Sequence, residues 1–236
     1  MNWHAIWAII EKDLKIVLQS KSVTIPLVTV PLLVAVVLPS VLGFVVYSAG
    51  LLGQIDVRQL LAVLPPTLAK QMAEMTPPQV IFYYMLVYLF APLYLILPIM
   101  VSNVIAADSF AGERERKTLE ALLYTPTSDT ELLTAKVLGA WLPGLLVGLL
   151  SFVLYASVAN TVAWPVMQRI FLPNAMWLML VLLVAPGAAG LGLGTSVLVS
   201  ARTNSLQSAY QIGSLIVLPV TGLIIAQLSG ALYLNL

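Results

Sequence analysis

Five stretches of this chain, Val23–Tyr47, Val80–Ala107, Val137–Ala163, Ala175–Ala201 and Leu206–Leu228, carry no charged side chain and are each long enough to cross a bilayer, which takes roughly 20 apolar residues per helix. A soluble protein holds such a helix only by burying it on every side. A chain of 236 residues has too little else to bury five of them. Composition agrees: 60% of residues are hydrophobic, 9% are charged and the mean hydropathy is +0.99, well outside the range of soluble domains. The fold class is an all-α integral membrane protein, read as one transmembrane domain over residues 1–236 with five predicted transmembrane helices.

Basic residues are retained on the cytoplasmic side, so their distribution orients the spans. With the N-terminus inside, Lys12, Lys15, Lys21, Arg114, Arg116, Lys117, Lys136 and Arg202 are cytoplasmic, and only Arg58, Lys70 and Arg169 lie outside. The expectation is a multi-pass protein of the cell membrane with a cytoplasmic N-terminus. Segment 51–79 is then an extracytoplasmic loop, broken by Pro65-Pro66 and Pro77-Pro78, with a short helix at Thr67–Met75. Glu11, Lys12, Asp13 and Lys15 fall where a cleavable signal peptide needs its apolar core, so none is expected.

Residues 1–20 read as an interfacial amphipathic helix. Trp3, Ile6, Trp7, Ile10, Leu14, Val17 and Leu18 recur at helical spacing on one face. Two tryptophans beside lysines suit the headgroup layer of membrane lipid; packing of the same stripe on the protein's own helices is compatible with that placement. Pro26, Pro31 and Pro39 in the first span, and Pro92 and Pro98 in the second, predict interruptions of the kind membrane helices tolerate. In the fourth span, the glycine string from Gly187 to Gly194 lacks the Lys-Ser/Thr ending and the preceding strand of a phosphate loop. Gly190 and Gly194 instead form a small-residue ridge for helix packing, with Ala188 and Gly192 offset on a neighbouring face. Gln207, Gln211 and Ser214 make one polar stripe on the fifth span. They either line a transport pathway or hydrogen-bond neighbouring helices.

Against this background residues 108–136 form a charged island. Asp108, Glu113, Glu115, Glu120, Asp129 and Glu131 are six of the ten acids in the chain. Ser109–Tyr124 reads as an amphipathic helix with opposite-sign pairs at i,i+4, Glu113 with Lys117 and Arg116 with Glu120. Thr125-Pro126 ends it, and Ser128 with Glu131 is a capping box that starts the next helix. A helix, sharp turn and helix held at the membrane face point to a docking element for a partner rather than a solvated loop.

The run Glu113-Arg114-Glu115-Arg116-Lys117-Thr118-Leu119-Glu120, followed by Leu122-Leu123, Thr125-Pro126, Glu131-Leu132-Leu133 and Lys136, resembles the signature of permease subunits of type-2 ABC exporters. In that family the run is roughly E-R-E-x-G-T-L-E-x-L-L-x-T-P, so Lys117 stands where Gly is usual. The resemblance extends over nearly the whole chain, although such permeases usually have six spans. It implies that the island is a cytoplasmic coupling helix between spans two and three. Its ATPase-docking residues would be Glu113, Arg114, Glu115, Arg116, Lys117, Leu119, Glu120, Leu122, Thr125 and Pro126. It further implies that ABC ATPase subunits and a second permease subunit, identical or different, complete the transporter. ATP and Mg would bind in the partner ATPase, with no cofactor in this chain, because no Gly-x4-Gly-Lys-Ser/Thr motif is present. A non-transporting membrane scaffold that recruits an ATPase is the alternative.

Other chemistry is disfavoured. The chain has no cysteine and one histidine, His4, so no thiolate metal site is possible and no metal site is expected. No Asp, Glu or Lys lies inside a predicted span, which speaks against an intramembrane enzyme. A net charge of +1 gives no reason to expect nucleic acid. Without intramembrane charge, an amphipathic or lipid-linked cargo is favoured over a bare ion.

Overall fold

The computed structural model describes residues 2–48, 57, 64, 66–118, 127–202, 207, 209–211, 215 and 217–228. The helices are α1 (Trp3–Gln19), α2 (Val23–Ser48), α3 (Pro66–Met72), α4 (Pro77–Glu115), α5 (Asp129–Met167), α6 (Ala175–Ser200) and α7 (Val217–Leu228). No strand occurs among the described residues. Four of these helices, α2, α4, α5 and α6, are long and apolar enough to cross a membrane. The fifth expected span is represented by α7 and by helical residues 207 and 209–211; its other residues lie outside the described set.

α4 is the axis of the bundle. Within its apolar window 67% of residues are buried, against 17% for α2, and α4 packs on α5, α6 and α7. Two close approaches make this possible. A Cβ at Gly144 of α5 would lie 2.0 Å from Ser102 Oγ and 3.2 Å from the Pro98 carbonyl, and one at Gly192 of α6 would lie 3.0 Å from the Ile99 carbonyl. Bare backbone at these positions lets the helices meet, as small residues do in lipid. The contact falls on Gly192 rather than on the expected ridge. Among the described residues, a Cβ at Gly190 would lie 3.9 Å from the Trp141 indole and one at Gly194 would have no atom within 4 Å.

The prolines leave a readable mark. Each proline removes one N–H and crowds the carbonyl four residues earlier, and the freed turn can widen so that its hydrogen bonds span five residues. Widened turns occupy Leu33–Val37, Tyr84–Leu89 and Leu180–Val184. They contain Ala35, Tyr88 and Leu182, four residues before Pro39, Pro92 and Pro186. Side chains from other helices take up carbonyls in the second of these turns: Tyr155 Oη donates to Leu86, and Trp177 Nε1 donates to Val87 at 2.9 Å. Trp177 also stacks on Tyr155 and Phe152 with ring centroids 4.9 and 5.6 Å apart, fixing that end of the bundle.

A fourth widened turn, Asp108–Gly112, has no proline after it. It carries α4 three residues further, to Glu115. The separate amphipathic helix expected over Ser109–Tyr124 is therefore not what forms at its start. Residues 109–115 continue the second span, and the helix stops at a Schellman turn in which Thr118 N–H donates to the Glu113 carbonyl and Lys117 N–H to the Arg114 carbonyl, at 3.0 and 3.1 Å. Lys117 itself sits at φ 56°.

α1 splits the stripe read from sequence. Ile6, Ile9, Ile10 and Val17 are buried against Ala135 and Gly139 of α5 and against α4. Trp3, Trp7 and Leu18 form a second line that is 61–66% exposed. The packing reading of this helix holds for the first line of residues.

Candidate functional site: an ion cluster joining three helices

Where α1, the end of α4 and the start of α5 converge, the bundle encloses charge. Asp13, Asp108, Ser109, Glu113 and Lys136 are only 2–4% exposed. Lys136 Nζ donates to Glu113 Oε2 at 2.5 Å, to the Ser109 carbonyl at 2.6 Å and to Ser109 Oγ at 3.1 Å. Ser109 Oγ in turn donates to Asp13 Oδ2 at 2.5 Å. Lys12 bonds the other Glu113 oxygen and lies 2.9 Å from Asp13 Oδ1. Arg116 folds back over Gly112 to reach Asp108 Oδ2 at 3.2 Å. A Cβ at Gly112 would stand 2.9 Å from that guanidinium, so a side chain there would displace it. Three carboxylates thus meet three cations. Buried charge is tolerated on this condition, because an unpaired buried ion costs several kcal/mol.

The widened turn is what aims these groups. In a regular helix, residues 108, 109 and 113 face more than one direction; here Asp108, Ser109, Ala111, Gly112 and Glu113 are all buried. The electrostatics follow from the contacts. Burial is the largest influence on the Lys12 pKa and works to lower it. Its hydrogen bonds to Glu113 and Asp13, with the charge of both, nevertheless carry it above the usual lysine value. The hydrogen bonds to Asp108 likewise raise the Arg116 pKa.

Around the cluster, two more contacts tie the island to the bundle. Arg114 Nη1 donates at 3.0 Å to the Ser200 carbonyl of α6. Glu131 accepts from Ser128 N–H at 3.2 Å in the expected capping box, and also from Asn2 N–H at 2.5 Å just ahead of α1.

The expected docking residues therefore divide. Glu113 is turned inward and bonded to Lys12 and Lys136, and Arg116 pairs with Asp108; Glu120, its expected partner, lies outside the described residues. Glu115 and Lys117 are exposed at the tip of α4. Leu119, Glu120, Leu122, Thr125 and Pro126 lie outside the described residues, as does Ser214. Gln207 and Gln211 are exposed, while Ala209 and Tyr210 turn toward Ala107 and Ala111. No group of three His, Cys, Asp or Glu is arranged to hold a metal ion among the described residues.

Sequence reasoning missed Asp13 and Lys12. The signal was there: Ile6, Ile9, Ile10, Asp13 and Val17 fall on one helical line, so an acid interrupts the apolar face and demands a buried cation.

The sequence model of a family described as ABC-2 family transporter protein matches residues 7–234. Neither a curated protein nor a solved structure matches the chain significantly.

Proposed function

From the premise that the chain belongs to the ABC-2 transporter family and is a permease component of an ABC transporter, we propose that the tip of α4 is where a separate ATPase subunit docks. The N-terminus and this end of the bundle then face the cytoplasm of a cell-membrane transporter built from two permease and two ATPase subunits. ATP and Mg bind in the ATPase, and this chain moves an exported substrate without catalysing hydrolysis.

One observation carries this reading. The island presents Glu115 and Lys117 outward while Glu113 and Arg114, their neighbours on the same turn, are bonded into α1, α5 and α6. A push on the tip is delivered to three other helices through hydrogen-bonded ion pairs instead of being lost in a loose connection. ATP-driven closure of the ATPase pair would bias the bundle between two arrangements by binding one better than the other.

The test is recruitment. The double substitution Glu115→Lys with Lys117→Glu changes the outward charges and leaves the buried cluster alone. It is expected to strip the ATPase from the purified permease, with membrane abundance and melting temperature unchanged. Wild-type yield of a partner with vanadate-sensitive ATP hydrolysis would refute the docking assignment.

A further inference from the structure

The lower half of α4 holds a second place where its widened turn fits. Two widened turns already interrupt this helix, and in both the loosened carbonyls are held by side chains: Leu86 and Val87 by Tyr155 and Trp177, Ser109 by Lys136. The same provision exists at Ile99–Asn103, where the helix is regular. Ser196 Oγ of α6 donates to the Asn103 carbonyl at 3.1 Å. Gly192 of α6 leaves bare backbone 3.0 Å from the Ile99 carbonyl, measured from where its Cβ would be.

Two further atoms point to the same five residues. Among the described residues, the buried Ser102 Oγ and Asn103 Oδ1 have no hydrogen-bond partner, and both residues are at most 4% exposed. Buried polar atoms are almost always bonded, so two adjacent orphans on one turn call for a reason. A turn that changes shape supplies one.

We propose that the widened turn of Asp108–Gly112 migrates along α4 to Ile99–Asn103, making residues 104–108 a two-position element. A widened turn stores one extra residue. Moving it past a segment turns that segment by about 100° and shifts it about 1.5 Å. The upper turn at Tyr84–Leu89 stays, because Pro92 creates it and Tyr155 and Trp177 clamp it. The lower one has no proline to fix it, and Arg116 lying over Gly112 holds it in place. After migration Val104, now half-buried on the open line of Leu93, Ile96 and Met100, enters the place of Asn103, and Ile105, now 2% exposed, takes the open line.

The chain has no cysteine, so single spin labels at Leu93, Val104 and Ile105 can be read in lipid bilayers by oxygen accessibility. Gly112→Ala disfavours the lower position by displacing Arg116. In that background accessibility is expected to fall about twofold at Val104 and to rise by a similar factor at Ile105, as a turn of about 100° requires. Leu93 is unchanged, and adding Ser196→Ala restores the original pattern. If Gly112→Ala does not fold, Arg116→Gln perturbs the same contact. Accessibility at Val104 and at Ile105 that is the same with and without the substitution overturns the proposal, as does a change at Leu93 that follows them. No ATPase is needed for this measurement, so its failure leaves the docking assignment standing.

Discussion

Lys117 is a lysine where the backbone wants glycine. Its φ of 56° lies in the left-handed region, which costs an ordinary L-residue about 1 kcal/mol or somewhat more and glycine almost nothing. Glycine, which the signature this run resembles carries here, would fit this residue after the α4 cap. Lys117→Gly is expected to raise stability by about 1 kcal/mol, seen as a higher melting temperature in detergent. The same substitution removes an outward charge, so ATPase affinity should fall while stability rises. Lys136 is the opposite kind of residue. Lys136→Met leaves Glu113 and Asp13 with Lys12 as their one remaining cation, and breaking a buried pair in this way costs about 3–5 kcal/mol. Adding Glu113→Leu is expected to recover part of that loss, measured as the melting temperature of the double variant against each single one. The sequence showed both residues as members of a signature. It did not show that one is strained and the other is internal, because an i,i+4 rule pairs neighbours on a helix and says nothing about Lys12, 101 residues away from its acid.

At the scale of elements, the apolar runs were legible because a charge-free stretch of bilayer length has few alternatives. The end of α4 was not. The charged residues after Asp108 suggested a helix in water, whereas a widened turn lets the span continue to Glu115 and turns Asp108 and Glu113 inward. Prolines told more than expected. Three of them stand four residues after a residue inside a widened turn, and the carbonyls released in α4 are taken by Tyr155 and Trp177, which no local pattern would name. Helix packing in α6 separates two glycines with the same appearance in sequence. Gly192→Ala must push against the Ile99 backbone and is expected to cost about 1–3 kcal/mol. Gly194→Ala meets no atom of the described residues and should be neutral, or stabilising by up to about 1 kcal/mol through helix propensity. Thermal unfolding of the two variants side by side decides whether the close approach lies at Gly192. A loss at Gly194 confined to the assembled transporter would place that face against another subunit.

For the molecule as a whole, the N-terminal helix is held by titratable contacts, and its attachment has a sign in pH. The Lys12 pKa is raised in the folded protein. Its contribution is fully present below the usual lysine value of 10.5 and is lost as pH rises through the higher folded value. Melting temperature should therefore decline at the alkaline end more steeply for the wild type than for Lys12→Gln. Equal slopes would mean that Lys12 does not tether α1. The cluster also has an order in time, because its members are made in sequence from the N-terminus. When α4 has just been synthesised, Asp13 and Glu113 share one lysine. Balance arrives only with Lys136, 23 residues after Glu113, on a helix that must itself enter the membrane. Until then the young chain carries a surplus acid at its membrane boundary, a mark of incompleteness that the finished protein erases.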